Sequence, residues 1–269
     1  MNILELKKIE HSTKIGAECK YIEPNIIDNT VFAIDGEPIG FYLKEVPNKL
    51  KQLIAIANNE FNSDNVPKSL MDRSDVRQAQ LKNPKLTRTE ARKIGTAQMS
   101  TILGAVAPKA HFRRPYPTIS SVHNVTSAKT FIKAMLLACK ESENIIKEVL
   151  PQQYEKQKQL IETNAPKEFR FGNLFTSSIS NYNIAAPFHL DTGNLQGTVN
   201  VIITKRRNSK GGCLHVPDYN ATIEQADNSM LVYPAWRNIH GVTPIIPTKR
   251  GGYRNSLIFY PLKAFKKYL

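Results

Sequence analysis

The sequence predicts an α+β fold in which a mixed and helical amino-terminal part precedes an all-β sandwich or jelly roll. Before residue 166, two long stretches carry apolar residues at helical spacing; after it, short runs rich in β-branched and aromatic residues alternate with Gly, Asn and Pro. A chain of 269 residues with 41% hydrophobic composition can bury a substantial core. We therefore expect the regions 1–165 and 166–269 to form one integrated domain.

The amino-terminal part is predicted to begin with a hairpin and to continue with helices. Residues 31–43, "VFAIDGEPIGFYL", have the pattern of two short strands around a turn that contains Gly and Pro. Helical periodicity predicts one helix over 47–61 and a longer one from about Ser127 to Leu150. Pro151 then interrupts the helix before a second helical piece, and Thr87 with Glu90 matches a capping box.

The carboxy-terminal part is predicted to consist of short strands. Five apolar runs separated by turn residues indicate them: "FRFG", "TVNVIITK", "CLHVP", "SMLVYP" and "NSLIFYPL". Their number and spacing are typical of a sandwich or a jelly roll.

The chain carries a strong positive charge. It has 37 Lys and Arg against 23 Asp and Glu, a net charge of +14. Segment 68–114 holds 11 basic and 3 acidic residues, which is +8 of that excess, and such clustering favours a polyanionic partner such as nucleic acid. Arg113 and Arg114 close this segment in the loop "RRPYP" and are predicted to contact the substrate.

Cysteine usage and hydropathy predict the compartment. The 3 cysteines are scattered without a close pair, which indicates a reducing environment. No run approaches the roughly 18 apolar residues that span a bilayer, and the charged amino terminus does not resemble a secretory signal. We expect a soluble intracellular protein of cytoplasm or nucleus, in a viral or microbial setting, with no membrane contact and no protein partner indicated.

The stretch "PFHLDTGNLQG", residues 187–197, places His189 and Asp191 two positions apart at the end of a predicted strand. Residues i and i+2 of a strand point to one face, so both side chains could reach one ion. His240, in "RNIHGVTP", offers a third ligand. Two histidines and a carboxylate form the facial triad of non-haem Fe(II) oxygenases, although a Zn²⁺ hydrolase could use similar ligands.

The strand "RNSLIFY", residues 254–260, carries a second set of polar side chains. Arg254 and Ser256 share one face, and both could bond a carboxylate, the arginine with two donors. A cosubstrate that chelates iron through a 2-oxo acid and carries a second carboxylate needs such a partner. The predicted cofactors are therefore Fe(II) and 2-oxoglutarate. Arg250 competes for this role, but it lies in "TKRGG", which is predicted to be an exposed turn.

Four segments, "FHLDTGNL", "GGCLHVPDYN", "LVYPAWRNIHGVTPI" and "RNSLIFY", together resemble the ten-eleven-translocation (TET) and base-J-binding-protein (JBP) branch of the Fe(II)/2-oxoglutarate dioxygenases. The resemblance covers roughly residues 182–262. It implies a double-stranded β-helix (jelly-roll, cupin-like) core. It also implies oxidation of the 5-methyl group of a pyrimidine in nucleic acid, with the target base flipped into the pocket.

The resemblance further implies roles for single residues. They are, for iron, His189, Asp191 and His240; for the cosubstrate, Arg254, Ser256 and His215; and for the flipped base, Asn194 and Tyr260. Position 262 is Leu where the animal enzymes carry a histidine that contacts the cytosine, so the identity of the base stays open.

The function predicted from these observations is hydroxylation of the methyl group of 5-methylcytosine in DNA to 5-hydroxymethylcytosine. Three alternatives remain open at this point. The base could be thymine, which would give 5-hydroxymethyluracil. The oxygenase could act on a substrate other than nucleic acid, or the barrel could bind nucleic acid without catalysis.

Overall fold

The computed structural model describes residues 1–70, 80, 83–87, 90, 98–109 and 113–269. The chain positions between these ranges hold 6 of the 11 basic residues of the basic segment 68–114, so the phosphate contacts predicted for those six lie outside the described residues. Within them, no helix is long and apolar enough to cross a membrane.

Among the described residues of the amino-terminal part are three long helices: α1 (Asn48–Asn62), α2 (Lys129–Val149) and α3 (Pro151–Asn164). Their bounds confirm the predicted helices to within two residues. Helix α1 buries Leu50, Ile54 and Phe61 on one face, as the spacing requires. Pro151 is the first residue of α3, where its missing N–H removes no helical hydrogen bond.

Sixteen strands have bounds within the described residues. In chain order they are β1 Asn2–Glu5, β2 Thr30–Ile34, β3 Glu37–Leu43, β4 Ser69–Leu70, β5 Met99–Val106, β6 Thr118–Ile119, β7 Ser177–Tyr182, β8 Ala186–His189, β9 Asn200–Arg207, β10 Ser209–Gly211, β11 Leu214–Val216, β12 Ala221–Ile223, β13 Ser229–Tyr233, β14 His240–Val242, β15 Ile245–Pro247 and β16 Tyr253–Tyr260.

The major sheet has the order β1-β2-β3-β13-β9-β16-β7-β5-β4, with β6 on β5. Its centre is antiparallel, and β16 pairs with β9 on one side and with β7 on the other. Strands from before and after residue 165 alternate in this sheet, so both parts of the chain contribute to one core.

The minor sheet has the order β12-β11-β14-β8, and β10 pairs with β15 beside it. Apolar residues alternate between the two faces of the major sheet and belong to two clusters. On one face Phe41, Leu257 and Phe259 pack with the helices; on the other, Ile202 and Leu231 pack with residues of β11 and β12. The two sheets therefore face each other, and the predicted jelly-roll fold is confirmed.

Five strands of the major sheet were not predicted, namely β1, β4, β5, β6 and β7. Strand β5 lies within the basic segment 68–114, and β7, "SSISNY", lacks the apolar run that identifies a strand in the sequence. The predicted strand "FRFG" is instead a short 3₁₀ turn ending at Phe169 and an isolated bridge between Phe171 and Phe175. Several polar residues of β7 are buried because neighbouring strands cover them. Hydrophobic periodicity in the sequence cannot indicate such a strand.

The predicted capping box is present. The Thr87 amide and hydroxyl both donate to Glu90 Oε2 at 2.8 Å, and the Glu90 amide donates to Thr87 Oγ1 at 3.3 Å. These hydrogen bonds lower the pKa of Glu90.

Candidate active site between the sheets

The minor sheet brings the three predicted metal ligands together. His189 ends β8, Asp191 follows two residues later, and His240 begins β14 directly opposite His189 in the antiparallel register. The ring centroids of the histidines are 4.4 Å apart, and His189 Nε2 lies 3.5 Å from Asp191 Oδ1. One donor atom from each residue lies within 4.8 Å of the others, which suits a single ion bound on one face.

Backbone carbonyls orient both imidazoles. His189 Nδ1 lies 2.8 Å from the Pro187 carbonyl oxygen, and His240 Nδ1 lies 3.0 Å from that of Asn238. Because a carbonyl oxygen only accepts, each Nδ1 carries the proton and each Nε2 presents its lone pair. Burial and the neighbouring His189 lower the pKa of His240, which favours the neutral form that a metal requires.

Two asparagines hold the carboxylate of Asp191. The amide nitrogens of Asn194 and Asn200 donate to Asp191 Oδ2 at 3.4 and 3.3 Å, and Asn194 also donates to Asn200 Oδ1 at 3.0 Å. Oδ1 of Asp191 is the oxygen that faces His189. The two asparagines therefore hydrogen-bond Oδ2 of Asp191 and leave Oδ1 as the oxygen that can bind a metal. Sequence reasoning missed Asn200, which looks like an ordinary residue at the start of a strand.

Two tyrosines border the triad. The Tyr233 ring meets the His240 ring edge-on, with centroids 5.4 Å apart and planes at 85°. Burial, and then the charge of Asp191, raise the pKa of Tyr260 to about 12, so its hydroxyl stays protonated. Tyr260 thus lies near Asp191, and its stacking on a base stays a prediction. Tyr233 was not singled out from the sequence, because it has the pattern of a core residue.

Arg254 is buried on the inner face of β16, with 3% of its surface exposed. Its Nε has no hydrogen-bond partner among the described residues. Burial, and then the neighbouring Arg206, lower its pKa to about 10, so it still carries a charge at neutral pH. A buried charge without a partner is costly, and a bound anion would remove that cost.

Neighbouring residues make room for this guanidinium. Ser256 lies on the same face as Arg254, and its hydroxyl donates to the Asn181 carbonyl oxygen at 3.4 Å. A Cβ on Gly212 would lie 2.6 Å from Arg254 Cδ, so only glycine allows the backbone to approach this closely. The Gly212 amide donates to the Pro244 carbonyl oxygen, four residues after His240, so Arg254 lies beside the segment that follows this histidine.

His215 lies on the other face of the minor sheet. Its neighbours Leu214 and Val216 point into the space between the sheets, so the alternating strand directs His215 outward. There its Nδ1 lies 2.8 Å from Thr222 Oγ1, and its ring meets that of Phe188. The structure therefore does not bring His215 to Arg254 or to the triad, and packing accounts for this residue.

The predicted phosphate-binding residues are only partly available. Arg113 is exposed, but Arg114 donates to the Ala107 carbonyl oxygen at 2.7 Å and to Thr118 Oγ1 at 3.4 Å. The sequence also predicts phosphate binding by a loop "TKRRNSKGG", residues 204–212, most of which belongs to strands β9 and β10. In this segment Lys205 pairs with Asp227 at 2.8 Å, and the Arg206 side chain is largely buried. Exposed cations in this segment are Arg207 and Lys210.

Comparison with known proteins supports the fold. No protein-family model and no curated protein matches the chain. Among solved structures, NgTET1 in complex with 5mC DNA matches with a TM-score of 0.59 and 14% identity, over 95% of this chain and 83% of that chain. This likeness agrees with the double-stranded β-helix implied by the sequence.

Two further structures match at lower similarity. One is a 2OG-Fe(II) oxygenase family protein from Burkholderia pseudomallei, with a TM-score of 0.42 and 13% identity, over 81% of this chain and 83% of that chain. The other is OsALKBH1, with a TM-score of 0.40 and 12% identity, over 89% of this chain and 100% of that chain.

Proposed function

We propose that this protein is an Fe(II)/2-oxoglutarate-dependent dioxygenase that hydroxylates the methyl group of 5-methylcytosine in DNA. One observation carries the proposal: the His189, Asp191 and His240 cluster and the unpaired Arg254 guanidinium lie in the same space between the two sheets. A zinc hydrolase would use the triad but has no need for a buried arginine beyond it. A five-carbon diacid that chelates the metal at one end would neutralise that arginine at the other.

The residues of the site fit both Fe(II) and 2-oxoglutarate. Nε2 of each histidine and Oδ1 of Asp191 would hold Fe(II), and Arg254 with Ser256 would bind the distal carboxylate of 2-oxoglutarate. Iron with 2-oxoglutarate and dioxygen supplies hydroxylation of an unactivated C–H bond. The protein orients the ligands through the Pro187 and Asn238 carbonyls and the two asparagines. The apolar cluster between the sheets keeps water from the deep end of the site.

The free acceptor of Asn194 supports cytosine as the base. Its amide nitrogen is used by Asp191 and Asn200, whereas none of the described residues donates to its Oδ1. An acceptor matches the exocyclic amino group of cytosine, which donates, and does not match the O4 of thymine, which accepts. Asn194 would thus support an iron ligand with one end and contact the base with the other. Stacking of the base on Tyr260 is part of the same proposal.

Thymine is the second candidate, because Leu262 supplies no polar contact that would select cytosine. This residue forms an antiparallel bridge with Asn194, so its side chain adjoins the proposed base contact without offering a polar group. An apolar neighbour favours no pyrimidine by hydrogen bonding. The proposal of cytosine therefore depends on Asn194. If thymine is oxidised instead, another residue must contact the base.

DNA is the proposed partner. The charge of +14 favours phosphate binding, and the exposed Arg113 and Lys210 are available for it. A base inside a duplex cannot reach a site between two sheets, so it would be flipped out at a cost of a few kcal/mol.

The test uses purified protein with Fe(II), 2-oxoglutarate and ascorbate. DNA containing cytosine, 5-methylcytosine and thymine would be offered, digested to nucleosides and examined by mass spectrometry for a gain of one oxygen. We expect the gain on 5-methylcytosine. The Asp191→Ala variant should lose it while still binding DNA, because the carboxylate serves the metal.

Other outcomes would change the proposal in distinct ways. Oxygen on thymine alone would refute the role of Asn194. Consumption of 2-oxoglutarate without an oxidised base would indicate a substrate other than DNA. Absence of bound iron in the wild-type protein would refute the enzyme assignment and favour a barrel that only binds nucleic acid.

A further inference from the structure

Two arginines face each other inside the barrel. Arg206 on β9 is the direct register partner of Arg254 on β16, so both side chains leave the major sheet on its inner face. Like charges directly opposite each other destabilise a sheet, and burial increases the cost. Such a pair is tolerated when something else compensates the charge.

Arg206 is held in place along one edge. Its Nη1 donates to the Gly211 carbonyl oxygen at 3.1 Å and to that of Gln225 at 2.9 Å. Its Nη2 is buried and has no hydrogen-bond partner among the described residues. The guanidinium is therefore fixed by the backbone and keeps one donor group unused, as Arg254 does with its Nε.

Nearby acids do not use these donors. Burial lowers the pKa of Arg206, and the nearby Cys213, Glu224 and Asp227 offset only part of that shift. Neither carboxylate accepts a hydrogen bond from the Arg206 side chain, and Asp227 is paired with Lys205. No carboxylate compensates Arg254, whose pKa is raised only by the Cys213 thiol. Glu224 and Asp227 thus offset part of the Arg206 charge without a hydrogen bond to its side chain, and among the described residues no carboxylate pairs with Arg254.

We propose that Arg206 is a second carboxylate-binding residue, whose Nη2 binds the distal carboxylate of 2-oxoglutarate together with the Nε of Arg254. The proposal rests on the proposed function and adds to it a residue that selects the cosubstrate. A carboxylate offers about four lone pairs on two oxygens, enough for donors from both arginines and from Ser256. Two charges at this end strongly favour a diacid over a 2-oxo monoacid.

The experiment measures binding and not turnover. Protein loaded with Fe(II) under anaerobic conditions would be titrated calorimetrically with 2-oxoglutarate and with 2-oxopentanoate, which lacks the distal carboxylate. We expect Arg206→Gln to bind 2-oxoglutarate about 10- to 100-fold more weakly, the loss of one charge-assisted hydrogen bond. Its affinity for 2-oxopentanoate should stay within about two-fold of the wild-type value, because that compound never contacts Arg206.

Two further variants keep the result interpretable. Arg207→Gln removes the next charge on the same strand, at an exposed position, and should bind both compounds like the wild type. Arg206→Lys keeps the positive charge but lacks the planar N–H donors of the guanidinium. It should therefore bind 2-oxoglutarate with intermediate affinity.

Three results would overturn the inference. Arg206→Gln could bind 2-oxoglutarate as tightly as the wild type. Arg206→Lys and Arg206→Gln could both lose affinity for 2-oxoglutarate and for 2-oxopentanoate to the same extent, which would make Arg206 a structural residue. A wild-type protein that binds iron but no 2-oxoglutarate would refute the proposed function together with the inference, whereas the first two results leave that function standing.

Discussion

Replacement of Gly212 by alanine should weaken both the fold and the cosubstrate site. Gly212 has φ of +67°, and an added Cβ would lie 2.6 Å from Arg254 Cδ and 3.0 Å from Ile245 Cγ1. The left-handed backbone costs an L-residue roughly 1–2 kcal/mol. Overpacking against a buried side chain costs roughly 1–3 kcal/mol more. The expected loss is about 2–5 kcal/mol in the free energy of unfolding, which a domain of ordinary stability survives.

Gly251 provides the matched control. Its φ is +73°, but a Cβ there meets nothing within 4 Å. Gly251→Ala therefore carries the backbone cost of roughly 1–2 kcal/mol without the steric one. The difference between the two variants isolates the contacts of the added Cβ with Arg254 and Ile245. Because Arg254 must move to relieve that contact, Gly212→Ala should also bind 2-oxoglutarate about 10-fold more weakly or worse.

The assay combines urea denaturation at 25 °C, followed by circular dichroism, with calorimetric titration of 2-oxoglutarate. The three proteins to compare are the wild type, Gly212→Ala and Gly251→Ala. If both variants lose the same stability and bind the cosubstrate equally well, the packing of Gly212 against Arg254 has no energetic role. That result would refute the argument that this glycine makes room for the guanidinium.

Three further predictions follow from the site and its surroundings. Asn200→Ala should lower Fe(II) affinity about 10-fold or more, measured by metal titration, because Asp191 loses a hydrogen bond that orients it. Burial lowers the pKa of His123, whose Nε2 accepts from the Gly104 amide at 2.9 Å, so this histidine stabilises the fold above about pH 6.5 and loses that contribution as pH falls through its folded pKa. Urea midpoints from pH 7 to 5 should therefore fall less in His123→Gln. Affinity for DNA should drop steeply between low and moderate salt, and a flat profile in a filter-binding assay would contradict phosphate contacts.

Much of the fold follows from local patterns. The helices α1 and α2 were predictable because their apolar faces repeat every three to four residues. The hairpin of β2 and β3 was predictable because Asp35 and Gly36 adopt the positive φ values that such a turn needs. Strand β7 was not predictable, because its serines are buried by neighbouring strands and not by their own hydrophobicity.

The sequence by itself determined which chemistry the site can support. His189, Asp191 and His240 are the residue types that bind a divalent metal, and the strand period placed the first two on one face. Arg254 was identified in the same way, from a charge inside an apolar strand. These conclusions need only residue type and local geometry.

Tertiary structure decided which residues meet across the two sheets. The register of β9 on β16 sets Arg206 against Arg254, the minor sheet turns His215 outward, and Asn200 reaches Asp191 from the start of β9. Each of these placements depends on pairing between segments far apart in the chain. A one-residue change of register would reverse the face of every side chain concerned, and local sequence contains no measure of that register.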